Sequence, residues 1–357
     1  MLVRCSSVPA SSELFYGVSD YPDVAKIDTH IHIFTEEGTF MEVARDNNFR
    51  VINIALDASN DMSSVRRQFR YCQIQKEKYP SAVEIASAFS MEGWDEPDWL
   101  SRNLAWLDSC INNGAIAVKI WKNIGMVYRD KEGKLIMIDD RRFDPIFRML
   151  TEKNIPVIGH LGEPKNCWLP LEEMTTNNDR KYFREHPQYH MYKHPELPSY
   201  QEQVGARDRM LEKNPKLIFA GAHAGSLEWS VDTLAGTLDR FPNMSVDLAA
   251  RMGQIFYQTN ADREKVREFF VKYQDRILYA TDMGARGGES KETLAKELHE
   301  TWMRDWKFFV TDDSLNSSLV NVSYKGLKLP RQVVDKIYLK NAQRWLHVFE
   351  DKVESSH

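Results

Sequence analysis

Asp28-Thr29-His30-Ile31-His32 ends a short apolar run that begins at Ala25. Side chains alternate along an extended chain, so two histidines two apart project from one face. Seven further runs of the same kind follow: Val51 to Leu56, Val83 to Phe89, Ala115 to Trp121, Ile155 to His160, Leu217 to His223, Met244 to Leu248 and Ile277 to Asp282. Helical patterns lie between them. Asp98 to Asn112 carries Trp99, Leu100, Leu104, Leu107 and Ile111 at helical spacing, and Gly114 follows as a stop. Asp144 and Pro145 open another, with Ile146, Phe147 and Leu150 on one face; Pro330 opens the last, with Val333, Val334, Ile337 and Tyr338 in register. Eight strand–helix units predict an α/β fold, a (β/α)8 TIM barrel. An open doubly wound sheet is the runner-up, but no GxGxxG follows the first strand.

The 357-residue chain is 42% hydrophobic and 28% charged, ordinary for a packed globular protein and too apolar for a disordered one. No linker, low-complexity tract or internal repeat interrupts it, so residues 1–357 read as one domain. The formal net charge of −5 argues against non-specific nucleic-acid binding, which needs a basic surface. No apolar run reaches the roughly 18–20 residues of a membrane span. The expected partner is therefore a small-molecule substrate, with no nucleic acid and no membrane; a homo-oligomer stays open. Cys5, Cys72, Cys110 and Cys167 are isolated, which excludes a CxxC zinc ribbon or redox motif and suits a reducing, cytoplasmic setting. The opening MLVRCSSVPASSELF lacks the apolar core of a complete signal peptide, and a leader already removed is compatible with it.

Two segments exceed the minimal barrel. Residues 161–214, after the fifth strand, are rich in aromatics and histidine and read as a lid-like insertion. Residues 284–329 form a second long insertion after the eighth strand. Residues 1–24 are an N-terminal extension, and residues 330–357 a C-terminal helix and tail. His186, His190 and His194 are four apart, but Pro187 and Pro195 break any helix that would stack them, so they belong to the lid rather than to a second metal site.

The chemistry gathers at strand ends. His30 and His32 end the first strand, His160 the fifth, His223 the sixth and Asp282 the eighth, while Lys119 lies near the end of the fourth. Four of the ten histidines occupy these places. One such residue alone is ordinary rim polarity. Six metal-competent or titratable side chains at the mouth of one barrel are costly to bury without a role. Converging imidazoles and a carboxylate are the donors a divalent metal takes.

These residues resemble the amidohydrolase superfamily, and within it the amidohydrolase-related group of hydrolases, decarboxylases and hydratases. The matching pieces are DTHIH at 28–32, VKIW at 118–121, GH at 159–160, GAHAG at 221–225 and YATD at 279–282, in the family's order along nearly the whole chain. KNAQRW at 340–345 resembles the group's C-terminal end. The resemblance implies His30, His32, His160 and Asp282 as ligands of one divalent ion, Zn²⁺ being the first choice. It implies His223 as a catalytic group that contacts substrate, or as ligand of a second ion if Lys119 is a bridging carbamate. One or two ions are both compatible with this set.

The leading expectation is a metal-dependent hydrolase of an amide, lactone or ester. Asp282 would handle the proton of water, His223 would polarise the carbonyl, and Lys119 would act beside them. Asp28, on the same face as His30 and His32, either orients a ligand or is bonded to backbone. Trp121, Glu163, Arg251 and Arg286 are candidates for the substrate pocket, the arginines for a carboxylate. The alternatives are a decarboxylase or hydratase with the same ligands, and a non-catalytic metal or small-molecule binding protein on the same fold.

Overall fold

The structure is a computed structural model and describes residues 14–349. Cys5, with residues 1–13 of the extension and 350–357 of the tail, lies outside the described residues. The eight runs form eight strands: β1 (Lys26–Ile33), β2 (Phe49–Ile54), β3 (Val83–Ala88), β4 (Ala115–Ile120), β5 (Val157–Gly159), β6 (Phe219–Gly221), β7 (Met244–Asp247) and β8 (Ile277–Leu278). Each pairs in parallel with the next, in chain order. Beyond β8 the chain runs alongside β1. Thr29 N donates to Tyr279 O at 3.1 Å, Asp282 N to His30 O at 2.9 Å and His32 N to Met283 O at 2.9 Å. A two-residue strand, β9 (Gly284–Ala285), then pairs with His32 and Ile33. The ring is thereby closed, which excludes the open doubly wound sheet.

The strands read as near-continuous apolar runs because both faces are covered. One face of each fills the barrel: Ile27, Ile52, Ile54, Ala86, Ala117, Ile158, Ala220 and Leu278 pack with Trp345, Leu346 and Val348 from the C-terminal segment. The other face, with Val51, Val83, Ile85, Val118, Val157, Phe219, Val246 and Ile277, lies under the helices. Helix α1 (Trp99–Asn112) buries Trp99, Asn103, Leu107 and Cys110 at helical spacing and stops before Gly114, whose φ is +93°. Helix α2 is Asp144–Glu152, with its proline in the first turn, where the missing N–H costs nothing. The helix opened by Pro330 runs from Arg331 to Asp335, continues as a π-helical turn over Lys336–Lys340, and ends as Asn341–Leu346.

The two long segments are less irregular than their composition suggests. Residues 161–214 hold short 3-10 turns and helix α3 (Asn177–Glu185), followed by α4 (Tyr200–Lys213). α4 starts on a capping box: Ser199 Oγ accepts from Glu202 N at 3.3 Å, and Glu202 Oε2 accepts from Ser199 N at 2.7 Å. It is the ordinary β5–β6 crossover helix, so the excess over a plain barrel ends at Ser199. His186, His190 and His194 lie in the broken 3-10 region, and His190 and His194 bond the carbonyls of Leu169 and Pro187. After β7 comes α5 (Met252–Ala261). After β9, residues 291–310 form α6 (Lys291–Val310), whose Trp302 stacks on Phe49 with ring centres 4.3 Å apart.

The C-terminal segment plugs the bottom of the barrel. Leu346 is 1% exposed within that inner cluster. Leu346→Ala is expected to lower stability by about 3 kcal/mol through lost burial and a cavity, measured by urea unfolding, with the far-UV spectrum unchanged before the transition.

Candidate metal centre and active site

β1 does not run straight into the site. Its pairing with β2 shifts register between Asp28 and Ile31. Before the shift Ile27 faces the barrel interior; after it Ile31 and Ile33 face the helices, and His30 and His32 point inward. Asp28 is therefore not on the face of the two histidines. Its carboxylate accepts from Thr281 N (3.0 Å), Thr281 Oγ1 (2.6 Å) and Trp302 Nε1 (3.3 Å). It ties β1 to the residue before Asp282 and to α6, which is the backbone-bonding alternative. The physical reason is the irregularity, which breaks the two-residue alternation.

The tautomers follow from the acceptors. His32 Nδ1 lies 2.8 Å from Ile54 O and His223 Nδ1 2.9 Å from Ala249 O. His30 Nδ1 lies 2.9 Å from Asp247 Oδ2. Carbonyl and carboxylate oxygens only accept, so each of the three rings carries a proton on Nδ1 and turns Nε2 inward. Those nitrogens face Asp282. His32 Nε2 is 3.2 Å and His30 Nε2 3.6 Å from Asp282 Oδ1. Donor atoms of His30, His223 and Asp282 lie within 4.8 Å of one another. His160 Nδ1 is 3.1 Å from His223 Nε2, and its Nε2 is 3.5 Å from Glu163 Oε2. With the His223 proton on Nδ1, His160 Nδ1 is placed to donate to His223 Nε2, and His160 Nε2 has no hydrogen-bond partner among the described residues. Imidazole and carboxylate acceptors gathered this closely favour a cation among them; the Lys119 ammonium stands beside His30, and the donor set fits a divalent metal ion.

Burial works against the charged form of His30, His160 and His223. His160 is held well below the usual histidine range by burial, then by Lys119, Lys122 and Arg251. His223 is held well below it by burial, then by His160 and Arg251. Lys119 Nζ stands 3.0 Å from His30 Nε2, and burial pushes it down to about 8 against the pull of Asp247 and Asp282.

His223 opens a left-handed turn. His223, Ala224, Gly225 and Ser226 have φ of 59°, 56°, 61° and 58°. Each L-residue there costs about 1–2 kcal/mol, so neighbours must hold the turn. Asp247 Oδ1 accepts from His223 N at 2.7 Å, Tyr200 Oη donates to Ser226 O at 2.5 Å, and Arg207 donates to Gly225 O. Gly221 lets the turn fold back closely, since a Cβ there would lie 2.9 Å from Gly225 Cα.

Above the histidines lies a cavity of about 370 Å³ walled by Trp121, Lys122, Glu163, Tyr182, Phe183 and Arg251, with Asp282 and His160 reaching into it. Lys122 is ion-paired with Glu163 and lies 3.2 Å from Tyr182 Oη. Asp179 of α3 lies 3.7 Å from Arg251 and accepts from Asn166 at 2.8 Å and Gln254 at 2.6 Å. Arg251 Nε and Trp121 Nε1 are buried N–H groups without a partner among the described residues. Such donors are costly unless an acceptor arrives.

The barrel mouth thus brings together His30, His32, Lys119, His160, His223 and Asp282, with Trp121, Glu163 and Arg251 in the wall. Arg286 is not part of it. Pairing of β9 with β1 carries the chain past the rim; Arg286 is exposed, its guanidinium 6.0 Å from the Phe34 ring. Sequence reasoning does not single out Asp247, Lys122 or Asp179. Asp247 ends the run MSVD, and the strand-end logic that finds Asp282 applies to it too. Asp179 has no local signal within a polar helix.

A family profile described as amidohydrolase matches residues 27–348. A search of curated proteins found no match. Among solved structures, 2,6-dihydroxybenzoate decarboxylase from Rhizobium is similar, with a TM-score of 0.52, 14% identity, and coverage of 91% of this chain and 99% of that one. 4-Oxalomesaconate hydratase from Rhodopseudomonas palustris has a TM-score of 0.49 and 12% identity, over 90% of this chain and 95% of that one. At such identity the first likeness shows the fold. The profile covers most of the sequence, and the chain belongs to the amidohydrolase family of enzymes.

Proposed function

We propose a metal-dependent hydrolase that opens an amide, ester or lactone bond of a small carboxylated molecule. The observation that carries the reading is the convergence of imidazole nitrogens on the Asp282 carboxylate at the floor of a cavity. His30, His32, His160 and Asp282 would hold the ion, with His223 joining them if two are bound; Zn²⁺ suits imidazole and carboxylate donors. A bound divalent ion would supply Lewis-acid polarisation and an ionised water near neutral pH.

The chain's own groups supply the rest. Asp282, its side chain 31% exposed, faces the cavity and can take a proton and return it to the leaving group. His223, if free of metal, can polarise the substrate carbonyl. Arg251 Nε and Trp121 Nε1 offer two buried N–H groups to a substrate carboxylate. Glu163 stands 3.5 Å from His160 Nε2 and is paired with Lys122, which fixes a carboxylate in the wall beside that ring. Lys119 as a free ammonium goes with one ion, and as a carbamate with two.

The second reading is non-oxidative decarboxylation or hydration on the same residues. It is favoured by the Arg251 guanidinium in the cavity wall, whose Nε has no hydrogen-bond partner among the described residues and which suits a carboxylated substrate, and by the decarboxylase activity named for a protein of this fold.

Elemental analysis of the purified protein is expected to find one or two equivalents of a divalent metal. No retention after reconstitution would defeat both readings. Asp282→Asn is expected to cut kcat by about 10²–10⁴-fold on whichever substrate a hydrolase and decarboxylase panel identifies, with the fold kept by circular dichroism. Undiminished turnover would remove Asp282 from the mechanism. Arg251→Lys keeps the charge and loses the planar fork, so KM for a carboxylated substrate should rise about tenfold or more while that for its uncharged analogue stays. Equal KM shifts for both would count against a carboxylate at Arg251.

A further inference from the structure

We propose that Asp247 is the positioning residue that fixes two imidazoles of the centre at once, through a pair of acceptor oxygens that only a carboxylate supplies. The inference rests on the metal reading of the site. Asp247 ends β7 and is 2% exposed. Its Oδ2 lies 2.9 Å from His30 Nδ1. Its Oδ1 accepts from His223 N at 2.7 Å and Ala249 N at 3.1 Å. Ala249 in turn gives its carbonyl to His223 Nδ1 at 2.9 Å. His223 is therefore framed at its backbone and at its ring by a loop anchored on one oxygen. His30 is framed at its ring by the other.

Each contact has a distinct consequence. For His30 to offer a bare Nε2 beside Asp282, its proton must sit on Nδ1, and Asp247 Oδ2 is the acceptor there. For His223 to aim its ring inward, its backbone must stay in the left-handed region, and Asp247 Oδ1 holds the first amide of that turn. All three partners of Asp247 are donors. An asparagine has one acceptor oxygen and a donor nitrogen, so it cannot serve both sides. With the amide nitrogen towards His30, the imidazole must accept at Nδ1 and carry its proton on Nε2, which closes it as a ligand. With the nitrogen towards His223, two N–H groups face each other and the turn loses its anchor. Partners behind metal-binding imidazoles are worth about 10–100-fold in affinity.

The test uses the full chain stripped of metal. Zn²⁺ affinity is measured by competition with a chromophoric chelator for wild type and Asp247→Asn, beside the thermal midpoint of each apo-protein. The ring tautomer of His30 is read from long-range ¹⁵N–¹H spectra of histidine-labelled protein, with His30→Gln assigning the signal. The expected result is a 10–100-fold weaker Zn²⁺ complex for Asp247→Asn and an Nδ1–H tautomer of His30 in wild type. Equal Zn²⁺ affinity in the two proteins overturns the proposal, and so does an Nε2–H tautomer in wild type. A wild type that binds no Zn²⁺ defeats the metal reading instead; the tautomer then decides the role of Asp247. A variant that loses Zn²⁺ only in proportion to a lowered thermal midpoint, with the tautomer unchanged, marks a merely structural residue and also overturns it. If Asp247→Asn does not fold, the wild-type tautomer alone decides between the two roles.

Discussion

A buried cluster of imidazoles gathered on one carboxylate is the constraint around which the rest of the molecule is arranged. Three imidazoles are locked by carbonyl or carboxylate acceptors on Nδ1, and they turn their Nε2 atoms towards one another and towards Asp282. Such a buried cluster costs free energy to desolvate, and within the protein the Lys119 ammonium, 3.0 Å from His30 Nε2, offsets part of that cost. The strain continues in the backbone, with four successive left-handed residues from His223 and a positive φ of 66° at Asp282. Rigid packing around the site sustains that arrangement. The barrel interior is filled from below by the C-terminal segment, and the outer strand faces are covered by helices.

The wall of the cavity continues the same electrostatic logic. Carboxylates of Glu163, Asp179 and Glu228 surround Arg251, and Glu163 pairs with Lys122. Burial works against the Arg251 charge, while Asp179 first, then Glu228 and Glu163, hold it in its charged form. The segment bearing Asp179 is thereby tied through buried hydrogen bonds to Asn166 and Gln254, which lie on different loops and helices. A segment fastened in this way acts as a fixed wall that shapes what enters, and its aromatic face, Tyr182 and Phe183, completes the enclosure.

Much of this is legible in the sequence because the barrel writes its period there. Eight apolar runs, half of them closed by a histidine or an aspartate, locate the strands to within a few residues and place His30, His32, His160, His223 and Asp282 at one end. Parity reasoning fails at Asp28, because one irregular step in β1 turns its carboxylate towards Trp302; such a step leaves no mark in a pattern of alternating residues. Composition overstates the insertion after β5, since aromatics and histidines conceal a capped crossover helix from Ser199 onward. Arg286 is misplaced by sequence alone because the two-residue strand β9 is too short to show, yet it decides where the chain goes next. Asp247 escapes notice because one acidic residue at a strand end means little until its neighbours in space are known.

The closure of the ring has a consequence for synthesis. Thr29 and His30 receive their backbone partners from Tyr279 and Asp282, about 250 positions later in the chain. Until that stretch has emerged from the ribosome, the first two histidines have neither a completed strand partner nor the carboxylate opposite them. Contacts so distant in sequence form late and slowly. His30 and His32 are made early, but the cluster they belong to is completed only by the last barrel strand and the residues that follow it.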